Sequence, residues 1–117
     1  MWERYNLVAQ SASQAGKHHD AEQQFKLALT EAEKLGPADN AIATVCNNLA
    51  NCLRIQGRHA EAEAFYKRAL EVRQKALGPL HKDEMIILEN YAKCLRLMGR
   101  EAEAKKMEER SMGIMRR

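Results

Sequence analysis

The 117-residue sequence predicts an all-α protein, an α-solenoid of three stacked helix-turn-helix repeats with six helices, and three observations predict it. First, landmarks recur at a fixed spacing: Gly57 returns as Gly99, Asn48 as Asn90 and Ala62 as Ala104, each 42 residues on. Upstream, Gly57, Ala62, Tyr66 and Leu70 answer to Gly16, Ala21, Phe25 and Leu29 at a spacing of 41. Second, only 5% of residues are aromatic while alanine and leucine abound, a helical composition whose core is built from small and medium side chains. Third, the six glycines and two prolines fall almost entirely where helices should stop. The chain is read as one domain, residues 1–117, with repeats at about 2–37, 40–79 and 82–115. A domain of this length buries roughly two thirds of its unfolded surface.

The first helix is expected from Trp2 to Ala15, with Tyr5, Val8, Ala9 and Ala12 at helical spacing and Gly16 as its stop. Where later copies carry Cys52-Leu53 and Cys94-Leu95 it has Ser11-Ala12, a softening that suits an end unit with one face in water. The second helix runs from His18 to Leu35 and buries Ala21, Phe25, Ala28 and Leu29. It ends at Gly36-Pro37, because proline lacks a donor and disfavours helix in the residue before it. Asp39 or Asn40 caps the third helix, which passes through Cys46, Leu49, Ala50 and Leu53 to Gln56. His59 to Leu77 is the longest, with Glu61, Glu63, Lys67, Arg68, Glu71 and Lys75 as a solvated face of opposite charges. Gly78-Pro79 repeats the stop. Asp83 and Glu84 then place carboxylates at the positive end of the fifth helix, which carries Ile87, Leu88, Tyr91 and Leu95 and ends at Gly99. The sixth runs from about Arg100 into Ser111-Met112, and the residues from Gly113 onward are expected to fray.

A single hairpin leaves the flank of Phe25 or Tyr66 uncovered, so each unit needs the next one against it. Ala9, Ala50 and Ala92, facing Ala21, Ala62 and Ala104, let paired helices cross closely. In the third copy Glu108 and Ser111 replace the aromatic residue and the alanine, so the array is expected to end there.

A net charge of +3 with acids and bases interleaved lacks the one-sided basic field that nucleic acid requires. No run approaches the roughly 20 apolar residues of a membrane span, and the start has no apolar signal region. A cytoplasmic protein without nucleic-acid or membrane partners is expected. Cys46, Cys52 and Cys94 are odd in number and lack CxxC spacing, so they read as reduced, half-buried packing residues rather than disulfide or zinc ligands. His18, His19, His59 and His81 have no carboxylate or second ligand at catalytic spacing, and no phosphate loop, nucleophile elbow or HExxH occurs. No catalytic residue, metal or cofactor is assigned, and no enzymatic activity is expected.

Small Ala50, Gly57, Ala62 and Ala69, aromatic Tyr66 and helix-breaking Pro79 resemble the tetratricopeptide repeat, over essentially the whole chain. The spacing of 42, against about 34 in that family, together with CNNLANCLRIQGRHAEAEAFYKRALEVRQKALGP, is similar to the kinesin light chain subtype, whose second helix is extended. The resemblance implies a right-handed solenoid that binds extended or helical peptides of partner proteins along the concave surface of its first helices. On this chain that surface would be lined by Asn6, Gln10 and Ser13, then Asn47, Asn48, Asn51, Arg54 and Ile55, then Glu89, Asn90, Lys93, Arg96 and Leu97. Asn48 and Asn90 match the position that holds the peptide backbone in the resembled family.

Spacing supports the grouping separately. Asn47, Asn51 and Arg54 follow i, i+4, i+7 on the face opposite Leu49 and Leu53, and Glu89, Lys93 and Arg96 repeat the pattern. An asparagine amide offers donor and acceptor together and so pairs with a peptide backbone whatever its side chains; apolar neighbours such as Ile55 and Leu97 would add contact. The plainer alternative is a solvated polar surface. The carboxylate-clamp subset of the family is matched only at Asn48, since its lysines and arginine would fall on Asn6, Ile86 and Asn90. Arg54, Lys93 and Arg96 nevertheless suggest an acidic or acid-flanked peptide. The expected function is a non-enzymatic adaptor, monomeric or weakly homo-oligomeric. The alternative is a structural module that self-assembles through its end faces or its methionine-rich last helix, where Met98, Met107, Met112 and Met115 cluster. RNA binding by one base per repeat fits poorly, because the groove offers no aromatic stacking platform.

Overall fold

Residues 1–78 and 81–116 are described by the computed structural model, and they form six helices and no strand. In order these are α1 (Trp2–Gln14), α2 (His18–Glu33), α3 (Asn40–Ile55), α4 (His59–Leu77), α5 (Glu84–Leu97) and α6 (Glu101–Met115). The expected stop at Pro79 lies outside the described residues, as does Arg117. Each hairpin turns through a glycine, and Gly57 shows how. Its φ of 81° is a left-handed conformation that a Cβ would strain. There its N–H reaches the Arg54 carbonyl at 3.0 Å while the Arg58 N–H reaches Leu53 at 2.9 Å, which satisfies two orphan carbonyls at the end of α3. The same pair of bonds recurs at Gly16 and Gly99. Asp39 caps α3 by accepting from the Ala41 N–H at 2.9 Å.

Helix ends differ from expectation where the last turn tightens. α2 stops at Glu33, two residues early, because Lys34, Leu35 and Gly36 donate to carbonyls three residues back rather than four. α6 does the opposite. It continues through Gly113 to Met115 instead of fraying, and Ile114 is 1% exposed in the core. Burying that side chain contributes about 1.5–3 kcal/mol, more than the roughly 1 kcal/mol that an interior glycine costs a helix.

One apolar core runs through all three hairpins, from Ala9 and Phe25 through Leu49, Leu53 and Tyr66 to Leu88, Leu95 and Ile114. Tyr66 is fully buried at the joint between the second and third hairpins, where its ring stacks on Tyr91 with centroids 5.7 Å apart. The cysteines are fully rather than half buried, and Cys52 and Cys94 sit on a face that meets the preceding hairpin. Cys52 donates its thiol to the His18 carbonyl at 3.2 Å and Cys94 to that of His59 at 3.5 Å. Burial pushes the Cys46 thiol up to about 11.

The joints between hairpins are also welded by charge. Glu22 of α2, almost fully buried, receives Arg58 at 2.6 Å, Lys26 at 3.0 Å and Gln56 at 3.3 Å. One repeat later Glu63 receives Arg100 at 2.7 Å and the Tyr91 hydroxyl. Burial alone would raise both carboxyls, but their hydrogen bonds together outweigh it and hold both below the ordinary 4.5. A depressed carboxylate stabilises the fold above its unfolded pKa and loses that contribution as pH falls through the folded one. The melting temperature is therefore expected to stay level from neutral pH down to about 5 and to fall below the ordinary carboxyl value of 4.5. A Glu22→Gln, Glu63→Gln double variant should start lower and fall less steeply. Melting curves that stay flat to pH 3 in the native chain would show that these pairs contribute nothing.

Two charged residues lie where the repeat has apolar ones. Glu84, expected as a first-turn carboxylate at the positive end of α5, stands in the register of Ile42 and is fully buried. One of its oxygens accepts from Arg110 at 2.8 Å, and the other has no partner among the described residues. Arg73 stands in the register of Ala32. It donates to Thr44 Oγ1 at 3.1 Å and to the Asp83 carbonyl at 3.3 Å. Burial, partly offset by the nearby Asp83 carboxylate, pulls its pKa down.

Candidate peptide-binding surface

α3 is the central element: it packs on α4 within its own hairpin, on α2 of the preceding one, and touches α1 and α5. The backbones of successive first helices thus approach one another, whereas those of α2, α4 and α6 stay farther apart and meet through long side chains such as the Arg68–Glu33 pair at 2.7 Å. A stack tighter along its first helices than along its second curves toward the first.

The polar residues of those first helices separate into three environments. Gln10, Ser13, Asn48 and Asn51 converge on a hollow of about 280 Å³ between α1 and α3. Glu89, Lys93 and Arg96 line a second of about 540 Å³ between α5 and α6. Asn6 and Asn47, read from the sequence as part of an open lining, are instead buried, each 8% exposed. The reason is a ladder between first helices: Asn48 donates to the Asn6 side-chain oxygen at 3.1 Å, and Asn90 to that of Asn47 at 3.3 Å. The two amides expected to be free are partly spent on joining repeats. Their recurrence 42 and 43 residues apart, on helices that must touch, was the available signal.

The remaining groups divide by partner. Asn51 accepts the Tyr66 hydroxyl, so its oxygen is committed to α4. Arg96 forms ion pairs with Glu101 at 3.1 Å and with Glu108 at 2.5 Å, which raise its pKa and neutralise the charge that suggested a basic groove. Arg54 is different. Its Nε is buried and has no hydrogen-bond partner among the described residues, although its neighbours Asn51 and Tyr66 are satisfied. A buried donor left unpaired costs about 1–3 kcal/mol. Ile55 and Leu97 end the row, both more than half exposed. No described helix is long and apolar enough to cross a membrane.

Comparison with known proteins agrees with this geometry. No curated protein matches the sequence. The N-terminal domain of stress-induced protein-1 (STI-1) from C. elegans superposes with a TM-score of 0.77 over 99% of this chain and 85% of that one, at 17% identity, a likeness of fold alone. BtubC (BKLC) from P. vanneervenii superposes with a TM-score of 0.90 at 25% identity over 97% of this chain. The chain spans 45% of that protein's length. The tetratricopeptide repeat profile matches residues 39–117, which hold the second and third hairpins with their Gly57 and Gly99 turns. The first hairpin repeats the same turn and the same core positions, and the chain belongs to the tetratricopeptide repeat family.

Proposed function

We propose that this chain is a non-enzymatic adaptor that holds a peptide segment of a partner protein along its first helices. Repeats of this family are generally protein–protein interaction modules, and the peptide and its seat are the new part of the reading. The observation that carries it is Arg54, whose buried Nε has no hydrogen-bond partner among the described residues and which lies one helical turn from Asn51 in the hollow that Asn48 also lines. Turning the partly exposed Arg54 side chain outward onto a peptide carbonyl or carboxylate would satisfy that donor and relieve a cost already present. Arg54 and Lys93, with Arg96 neutralised, favour an acid-flanked segment, while Ile55 and Leu97 offer apolar contact. The 42-residue spacing favours the kinesin light chain subtype, and a cytoplasmic location fits this reading.

Arg54→Gln tests it directly, because Arg54 makes no side-chain hydrogen bond among the described residues that the substitution would break. Titrating extended glutamate-flanked peptides should show affinity about tenfold or more lower in the variant, with a melting temperature no lower than that of the native chain. The Asn48→Ala, Asn90→Ala variant should also lose binding, but it should melt earlier, since each lost bond between repeats is worth about 1 kcal/mol. Affinity unchanged in both variants would place the peptide elsewhere.

A further inference from the structure

The hollow between α5 and α6 has a precedent inside the same molecule. Among its lining residues are Glu89, Lys93, Glu108, Met112 and Met115. Their counterparts 42 residues upstream are Asn47, Asn51, Tyr66, Leu70 and Arg73, and that surface is covered by a helix, α5. Tyr66 stacks on Tyr91, Asn47 accepts from Asn90, and Arg73 donates to the Asp83 carbonyl. One repeat later no described helix covers the same surface, a hollow of about 540 Å³ with Met112 48% and Met115 66% exposed.

Charge narrows what fits. At the internal joints Glu22 meets Arg58 and Glu63 meets Arg100. Lys105 stands in the register of Glu63 and Lys17 in that of Arg58, so a second copy stacked end to end would set lysine against lysine. Glu108, where Tyr66 would stack, is already held by Arg96, and Glu89 accepts from Ser111. Lys93 and Lys105 make no ion pair among the described residues.

We propose that this hollow is the seat of one amphipathic α-helix from a partner protein. The helix lies on α5 and α6 as α5 lies on α3 and α4, with its apolar stripe on Met112 and Met115 and its carboxylates toward Lys93 and Lys105. Methionine suits such a seat because its unbranched, polarisable side chain adapts to an incoming surface. The peptide surface around Arg54 shares Lys93 with this seat, but Arg54, Asn48 and Asn51 lie outside it, and neither reading rests on the other.

The probe is a synthetic amphipathic peptide of about 18 residues, five helical turns, with glutamates along its polar edge. It is compared with the same peptide bearing lysines and with a scrambled one of equal composition. The acidic helix should bind about tenfold or more tighter than either control, and Lys105→Glu should narrow or invert the preference. Met112→Glu with Met115→Glu should remove binding without lowering the melting temperature, because both side chains are already exposed. Arg54→Gln should leave this binding unchanged. The proposal is overturned if the scrambled peptide binds equally, if the double variant still binds, or if Arg54→Gln removes the binding. Sedimentation supplies the last outcome: mass that grows with concentration in the native chain but not in the double variant would make the occupant a second copy.

Discussion

Replacing Arg110 with alanine is expected to destabilise the protein by about 3 kcal/mol, at the low end of the range for breaking a buried ion pair. Glu84 is fully buried, and Arg110 is the partner of its one paired oxygen; the other oxygen already lacks one. Without the guanidinium, an uncompensated carboxylate remains in an apolar site. The low end applies because Arg110 is 34% exposed, so water softens the loss. For a chain of this size the change corresponds to roughly 10–15 °C in melting temperature. The complementary change is Glu84→Ile, which restores the residue that the preceding repeat places at this position. It removes the buried charge and frees Arg110 to water, and is expected to be neutral or to stabilise by up to about 4 kcal/mol. Urea unfolding of the two variants separates the cases: a loss below about 1 kcal/mol in Arg110→Ala would mean that Glu84 is solvated after all.

Tyr66→Ala is expected to cost about 3–5 kcal/mol. The ring is fully buried, stacks on Tyr91, and donates its hydroxyl to Asn51. Truncation removes all three and leaves a cavity at the joint between the second and third hairpins. Tyr66→Phe keeps ring and packing and strands only the Asn51 oxygen, so it should cost about 1 kcal/mol. The position matters as well as the magnitude. In a stack each repeat is stabilised mainly by its neighbours, so a defect at a joint should loosen the third hairpin before the rest. Hydrogen exchange should show α5 and α6 losing protection first in Tyr66→Ala. Uniform loss across all six helices would show instead that the chain unfolds as one cooperative unit.

Much of the fold was legible because its causes are local. Gly16, Gly57 and Gly99 stand where only a left-handed residue closes a hairpin, and the apolar period between them leaves helix as the one consistent choice. The candidate surface was legible only in part. Helical spacing grouped Asn47 with Asn51 and Arg54, but it carried no information on burial, and Asn47 lies under Asn90 of the next repeat. Arg96 read as a free cation because its partner Glu108 is on another helix, and Glu84 read only as a first-turn acid because Arg110 lies 26 residues away.

By itself, the sequence determined six helices, their glycine turns and a 42-residue register that obliges each hairpin to cover the last, since these follow from backbone geometry and apolar periodicity along one chain. Only the tertiary structure decided which polar groups the stack consumes and which it leaves over, because a side chain's burial and partners are set by the helix laid against it. That is why Asn6 and Asn47 are spent on the joints while Arg54 still has a donor to give.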